Sequence, residues 1–251
     1  MNKLILDAGN SRLKAGVFFN QQLLSSVVFN YQDDVRAISG TFEQWVNSYF
    51  IDTVGVCSVR NQEPILDFLL YYFQGKDIIW ISPNMPLPFS SLYASIETLG
   101  ADRIALAAAG QEIFSEQNVL IAGLGTCITL DFVDSAGNYH GGSISPGLMM
   151  RLRALHDYTA KLPFLNIPTE FPNFIGNTTE KCMLSGIRFG IIHEINGFYE
   201  RYQDLYPNLK FCLTGGDTIH FEKQLKGVTF VSQNLVLTGS NKIIDYQLNA
   251  K

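Results

Sequence analysis

Two stretches of this chain carry residue types whose spacing suits phosphate chemistry. In the first, an apolar run through Leu4, Ile5 and Leu6 delivers Asp7 to a strand tip. Ala8, Gly9, Asn10 and Ser11 then turn the chain, and Arg12, Leu13 and Lys14 lead into a second strand. Gly and Asn tolerate positive φ, so they build a tight turn cheaply and expose backbone N–H groups. An aspartate beside such a turn can hold a metal ion, and a lysine can neutralise phosphate. The second stretch repeats the pattern at 120–130, where Gly123-x-Gly125 aligns with Asp7-x-Gly9 and Thr126 falls close to the place of Ser11. A single hairpin of this kind is usually ordinary structure. Two copies, each opening half of the chain, suggest two related lobes facing one nucleotide.

A third cluster, Gly100-Ala101-Asp102-Arg103, opens an Ala-rich helix expected over about 101–114. An aspartate in a first turn commonly does no more than satisfy orphan N–H groups. Tyr93 alone reads as a packed ring, and Thr179, followed by Glu180 at the head of a long apolar-periodic stretch, reads as capping. Thr214-Gly215-Gly216-Asp217 ends a strand in a di-glycine turn. Glycine density across 140–148 means the backbone there approaches another strand or a ligand closely. The four histidines are dispersed, and Arg151 and Arg153 fit a solvated helix face, outside the site.

These groups need elements to position them. A strand at 22–29 completes a meander with the opening hairpin. Phe42, Trp45, Val46 and Tyr49 recur at helical spacing, 53–59 is a buried strand, Ile65, Leu66, Leu69, Leu70 and Phe73 share a helical face, and 78–81 is a strand. The order β-β-β-α-β-α-β is that of a ribonuclease-H-like lobe. Proline-rich residues 82–90 form a connecting loop. The expected organisation is two such α/β lobes, 1–115 and 116–251, with mixed sheets flanked by helices. In the second, Leu184, Ile187, Ile191, Ile195, Phe198 and Tyr202 mark the longest helix. Its Gly186, Gly190 and Gly197 weaken it unless they admit another helix, such as one across a subunit interface. A short strand is expected at 228–231 and a final helix after 235–239.

Composition narrows the class. With 251 residues, 47% hydrophobic and 16% charged, the chain can bury a sizeable core and is not disordered. A net charge of −5 leaves no basic footprint, which argues against nucleic acid and makes local donors and a metal necessary for an anionic ligand. Cys57, Cys127, Cys182 and Cys212 are far apart, without CxxC spacing, as expected of free thiols in a reducing cytoplasm. Neither a signal peptide nor an apolar run of membrane-spanning length is expected.

Taken together, Asp7 to Lys14, Gly100-Ala-Asp-Arg103, Gly125-Thr126, His140-Gly-Gly-Ser-Ile-Ser-Pro-Gly147, Asn177-Thr178-Thr179-Glu180 and Thr214-Gly-Gly-Asp217 resemble type III pantothenate kinases, of the acetate and sugar kinase/Hsp70/actin superfamily. The motifs occur in family order over nearly the whole chain. The resemblance implies an actin-like ATPase fold and phosphorylation of pantothenate by ATP with Mg²⁺, the first step toward coenzyme A. It also implies a homodimer; the composition adds a cytoplasmic setting, with no nucleic-acid or membrane partner expected. Asp7, Ala8, Gly9, Asn10, Ser11, Arg12, Leu13 and Lys14 would embrace the ATP phosphates, Asp7 holding Mg²⁺ directly or through water. Thr126 would contact ATP, and Gly215 and Gly216 would line its adenosine side. Tyr93, Gly100, Ala101, Asp102, Arg103 and Thr179 fall where the family holds pantothenate, with Asp102 as proton acceptor. The family also uses an activating K⁺ or NH₄⁺, bound by an aspartate where this chain has Gly123. That cation site is therefore weakened, rebuilt from other oxygens, or absent. The rival readings are a non-catalytic relative that binds a partner, and a kinase for another small hydroxy compound.

Overall fold

The opening strand is apolar almost throughout because helices cover both of its faces. The computed structural model describes residues 1–60 and 64–249. β1 (Asn2–Ala8), β2 (Arg12–Phe19) and β3 (Gln22–Asn30) form an antiparallel meander. α1 (Val35–Val46) follows, its first turn capped by the Asp34 carboxylate, which accepts from the backbone N–H groups of Arg36 and Ala37. β4 (Thr53–Ser58) returns parallel to β1, and α2 (Pro64–Tyr71) leads to β5 (Asp77–Trp80), parallel to β4. The sheet order is β3-β2-β1-β4-β5.

One face of this sheet packs Leu4, Leu6, Ala8 and Leu13 against Ile38, Phe42, Ile65 and Leu69. Each buried Leu, Ile or Phe in this set contributes roughly 1.5–3 kcal/mol. After the short β6 (Ser90–Ser91), α3 (Ala101–Ile113) and the closing helix α6 (Leu235–Asn249) pack together, and α6 lies against β1, β2 and β4 on the opposite face. On β1 this second face reads Lys3, Ile5, Asp7. Lys3 is fully buried and ion-paired with Asp245 of α6, and Gly55 leaves room for Ile5 and Ile244. The alanine run of α3 has a physical use: Gly239 of α6 sits directly on the Ala105 carbonyl, so only small residues permit this crossing.

The second compact unit comprises residues 116–136 and 141–233. β7 (Val119–Leu124) and β8 (Cys127–Val133) form its hairpin, and β9 (Asn138–Pro146) follows. α4 (Leu148–Asp157) and the 27-residue α5 (Thr179–Leu205) precede β10 (Lys210–Thr214), parallel to β7, and the two-residue β11 (Phe230–Val231). The order β9-β8-β7-β10-β11 repeats the order β3-β2-β1-β4-β5, as two ribonuclease-H-like units require. Its core joins Leu120, Leu130 and Phe132 to Ile187, Ile191 and Ile195 of α5.

Several boundaries differ from the sequence expectation. Among the described residues, 234–249 and 137–140 group with the first unit instead of with the second. The reason is packing: α6 buries Leu237, Ile243 and Ile244 while Asp245 meets Lys3, and β6 pairs with Asn138 and Tyr139. The glycine-rich stretch 140–148 is mostly strand, and Gly142 presses on the Leu130 carbonyl of β8. The strand expected at 228–231 shortens to two residues, and α6 begins at Leu235. Among the described residues, no helix is long and apolar enough to cross a membrane.

Candidate active site

In the first unit, strand register gathers the ionisable groups. Asp7 pairs across β1–β2 with Lys14 and across β1–β4 with Cys57, so the three side chains share one sheet face. Burial pushes the Asp7 carboxyl up to about 7, against the opposing pull of Lys14 and with further upward pressure from the Asp102 charge. Burial lowers Lys14, while Asp7 supports its charge and Arg12 opposes it. Burial likewise holds the Cys57 thiol well above its ordinary range, and both Asp7 and Asp102 add to this. The Asp102 charge acts on both Asp7 and Cys57, and the Asp7 charge acts on Cys57, so the three side chains share one electrostatic neighbourhood.

Asp102 stands in the first turn of α3. Its Oδ1 accepts a 2.8 Å hydrogen bond from the Arg103 backbone N–H. The helix is capped by Gly100, which offers no side-chain acceptor. A Cβ on Gly100 would lie 2.6 Å from Asp102 Oδ1, so a glycine here is what lets the carboxylate sit where it does. Burial raises the Asp102 pKa, and the Arg103 N–H and charge partly offset it. Arg103 is 6% exposed, its guanidinium 5.7 Å from the centre of the Tyr93 ring. Tyr93 in turn packs on fully buried Tyr139 at 6.0 Å, and the Leu92 N–H donates to the Tyr139 carbonyl. Tyr93, Gly100, Ala101, Asp102 and Arg103 thus form one connected wall.

The turn after β1 is held on all sides. The Val59 N–H donates to the Ala8 carbonyl, the Tyr31 hydroxyl to the Gly9 carbonyl at 3.0 Å, and the Arg60 guanidinium to the Asn10 carbonyl at 2.9 Å. Asn10, Ser11 and Arg12 remain exposed at its tip.

In the second unit, the β7–β8 turn presents Thr126, which is exposed. Gly123 pairs with Thr129 and, across β7–β10, with Thr214, so no carboxylate stands at the place equivalent to Asp7. The Gly147 N–H donates to the Thr126 carbonyl at 3.0 Å. That junction is braced by Arg151, whose Nε donates to the Pro146 carbonyl at 2.7 Å and whose Nη2 meets Glu194 at 2.5 Å, while Ser145 also donates to Glu194. Arg151 is therefore a brace and not a solvated surface group. Gly215, at φ +100°, packs on the backbone of Leu124, bringing the di-glycine turn to the end of β7. Thr178, not Thr179, caps α5, accepting from the Lys181 N–H, and leaves Thr179 exposed on the first turn.

The sequence did not single out Tyr31, Arg60, Tyr139 or Glu194. Each lies far along the chain from the motif it supports, and only tertiary packing brings them together. Among the described residues, no cluster of three His, Cys, Asp or Glu forms a protein-only metal cage. The donor set still fits Mg²⁺, which takes one or two carboxylates together with substrate phosphates. A cation would relieve the repulsion between desolvated Asp7 and Asp102.

Solved structures share this architecture. The activator of the 2-hydroxyisocaproyl-CoA dehydratase from Clostridium difficile, with bound ADPNP, matches with a TM-score of 0.55 at 12% identity, over 100% of this chain and 95% of that one. A ROK family glucokinase from Streptomyces griseus, in complex with glucose and AMPPNP, matches with a TM-score of 0.52 at 12% identity, over 96% of this chain and 98% of that one. The fold is that of the actin-like ATPases. Within it, the profile of the type III pantothenate kinases matches residues 3–201. A type III pantothenate kinase of Bacteroides fragilis is 36% identical over 250 residues, 97% of each chain. The chain belongs to the type III pantothenate kinase family.

Proposed function

We propose that this protein transfers the γ-phosphoryl group of ATP to the hydroxyl of pantothenate, the first step toward coenzyme A. Family membership over nearly the full chain supports this reading. The structural observation that carries it is the Asp7–Lys14–Asp102 cluster: two desolvated carboxylates and one lysine beside an exposed Gly-Asn-Ser turn.

In this reading Asp102 accepts the hydroxyl proton as the oxygen–phosphorus bond forms and the bond to the ADP oxygen breaks. Its raised pKa makes it a better proton acceptor once ionised than a fully solvated carboxylate. Arg103 grips the pantothenate carboxylate, steadied by Tyr93, and Thr179 is a further substrate contact. The turn 8–13 and Lys14 cradle the phosphates, and Thr126 is a second ATP contact, with Gly215 and Gly216 on the adenosine side. Bound Mg²⁺, held by Asp7 directly or through water, would neutralise charge on the phosphate oxygens. Orientation is the other contribution: phosphoryl transfer needs the hydroxyl in line with the γ-phosphorus.

Three finer proposals accompany this. Gly123 leaves the monovalent-cation site of the family weakened, rebuilt or lost. The protein works in the cytoplasm. It acts as a homodimer, a reading supported by α5, where Cβ positions at Gly186 and Gly197 meet nothing within 4 Å. The test is direct: purified protein with Mg·ATP and pantothenate is expected to form 4′-phosphopantothenate. A panel of other small hydroxy compounds should react more slowly. A clear preference for one of them would replace pantothenate as the substrate, and no transfer to any would leave a partner-binding relative.

A further inference from the structure

Four backbone carbonyls of the first turn are engaged by donors from within the protein. The Ala8 carbonyl accepts from the Val59 N–H and the Arg12 carbonyl from the Gly9 N–H. The Gly9 and Asn10 carbonyls accept from two side chains, the Tyr31 hydroxyl and the Arg60 guanidinium. Those two side chains also hold each other, since the guanidinium carbon of Arg60 lies 4.4 Å from the centre of the Tyr31 ring. Tyr31 directly follows β3, and Arg60 lies two residues past β4. Both reach the turn because β1, β3 and β4 run in the same direction and finish at the same end of the sheet.

A carbonyl lone pair directed at a phosphate repels it, so a turn that takes an anion must point its carbonyls away, and a donor on each carbonyl holds it there. Glycine and asparagine leave such a turn floppy, and peptide units there could rotate their oxygens toward the ligand. We propose that Tyr31 and Arg60 are positioning residues for ATP: by fixing the Gly9 and Asn10 carbonyls they pre-set the turn for phosphate. The proposal rests on the reading that residues 7–14 hold the nucleotide phosphates. It adds two side chains outside that motif, and it assigns them to the nucleotide and not to pantothenate. Pre-organisation of this kind lowers the ordering cost of binding, so its loss appears in affinity.

The experiment measures KM for ATP and for pantothenate, with turnover, in Tyr31→Phe, Arg60→Ala, Arg60→Lys and the Tyr31→Phe/Arg60→Ala double variant, beside Lys14→Ala. Tyr31→Phe removes one hydrogen bond and keeps the ring, so it should fold normally. The expected result is an ATP KM raised about five-fold by Tyr31→Phe and about ten-fold by Arg60→Ala. The double variant should fall short of the product of the two, because the side chains support one another. Pantothenate KM should stay within two-fold. If Lys14→Ala raises the ATP KM while the Tyr31 and Arg60 variants do not, the positioning role is overturned and the phosphate reading of the hairpin survives. If Lys14→Ala also leaves it unchanged, the hairpin reading fails and the proposal with it. Equal rises for both substrates would indicate general distortion, and full recovery by Arg60→Lys would indicate bulk charge; either overturns the proposal.

Discussion

Asp102→Asn separates the two things a carboxylate in a first helical turn can do. If Asp102 serves the helix through its negative charge, the change should cost stability. If it serves chemistry, the change should cost turnover alone. The structure sets both magnitudes. The side chain reaches the helix through Oδ1, which accepts from the Arg103 N–H at 2.8 Å, and the amide oxygen of Asn can do the same. Burial is the largest influence on this carboxyl and raises its pKa. Its folded-state pKa therefore lies above its unfolded value, so its contribution to stability is full at low pH and is lost as pH rises through the folded pKa. A neutral amide escapes that loss. The variant should match the wild type near pH 4 and equal or exceed its melting temperature at pH 8. Turnover should fall by about two to four orders of magnitude, roughly 3–5 kcal/mol of transition-state stabilisation, with both KM values changed little. Steady-state kinetics at pH 8, with thermal melts at both pH values, read the two effects independently. Turnover within three-fold of wild type would remove Asp102 from proton transfer. A melting temperature several degrees lower at pH 8 would instead make its charge a stabiliser of the helix N-terminus.

Other perturbations bear on its neighbours. Gly100→Ala places a Cβ 2.6 Å from Asp102 Oδ1, so turnover should drop about ten-fold through displacement of the proposed base; unchanged turnover would show that the carboxylate relocates freely. Asp7, held at about 7 by burial, keeps its proton in the folded state between roughly pH 4 and 7, so its contribution to stability declines over that window. In denaturant titrations Asp7→Asn should therefore gain on the wild type from pH 4 to pH 8, by at most about 4 kcal/mol; parallel pH profiles would contradict the shift. Glu194→Gln breaks the brace behind the Thr126 turn and should raise ATP KM about three-fold at a stability cost of about 1 kcal/mol. Normal ATP affinity in that variant would separate Thr126 from the nucleotide. Replacing K⁺ by Na⁺ should scarcely change activity if Gly123 has abolished the cation site, whereas strong K⁺ activation would locate that site on other oxygens.

What the sequence displayed well was local. Apolar runs, Gly-Asn turns and helical periodicity were enough for both hairpins and for the long helix, and strand order follows from them by standard connection rules. The motifs around Asp7 and Asp102 were legible because each is contiguous. What stayed hidden depends on partners distant in the chain. That α6 joins the first unit follows from the Lys3–Asp245 pair and from Gly239 on Ala105, contacts between the two ends of the sequence. Capping of α5 by Thr178 and not Thr179 turns on one residue of backbone geometry. The position of Arg151 fits a solvated helix face, whereas in the fold Glu194, Ser145 and Pro146 hold its guanidinium. Tyr31 and Arg60 carry no motif at all, and only the shared end of the sheet gives them a common target.

The most direct test of the account is a single pair of reactions. Wild-type protein and Asp102→Asn are incubated with Mg·ATP and pantothenate, and product is read by phosphorus NMR and mass. The expected result is 4′-phosphopantothenate with stoichiometric ADP from the wild type, and product slower by at least about a hundred-fold from the variant. Absence of phosphopantothenate from the wild type, in K⁺ and NH₄⁺ buffers alike, would contradict the kinase assignment.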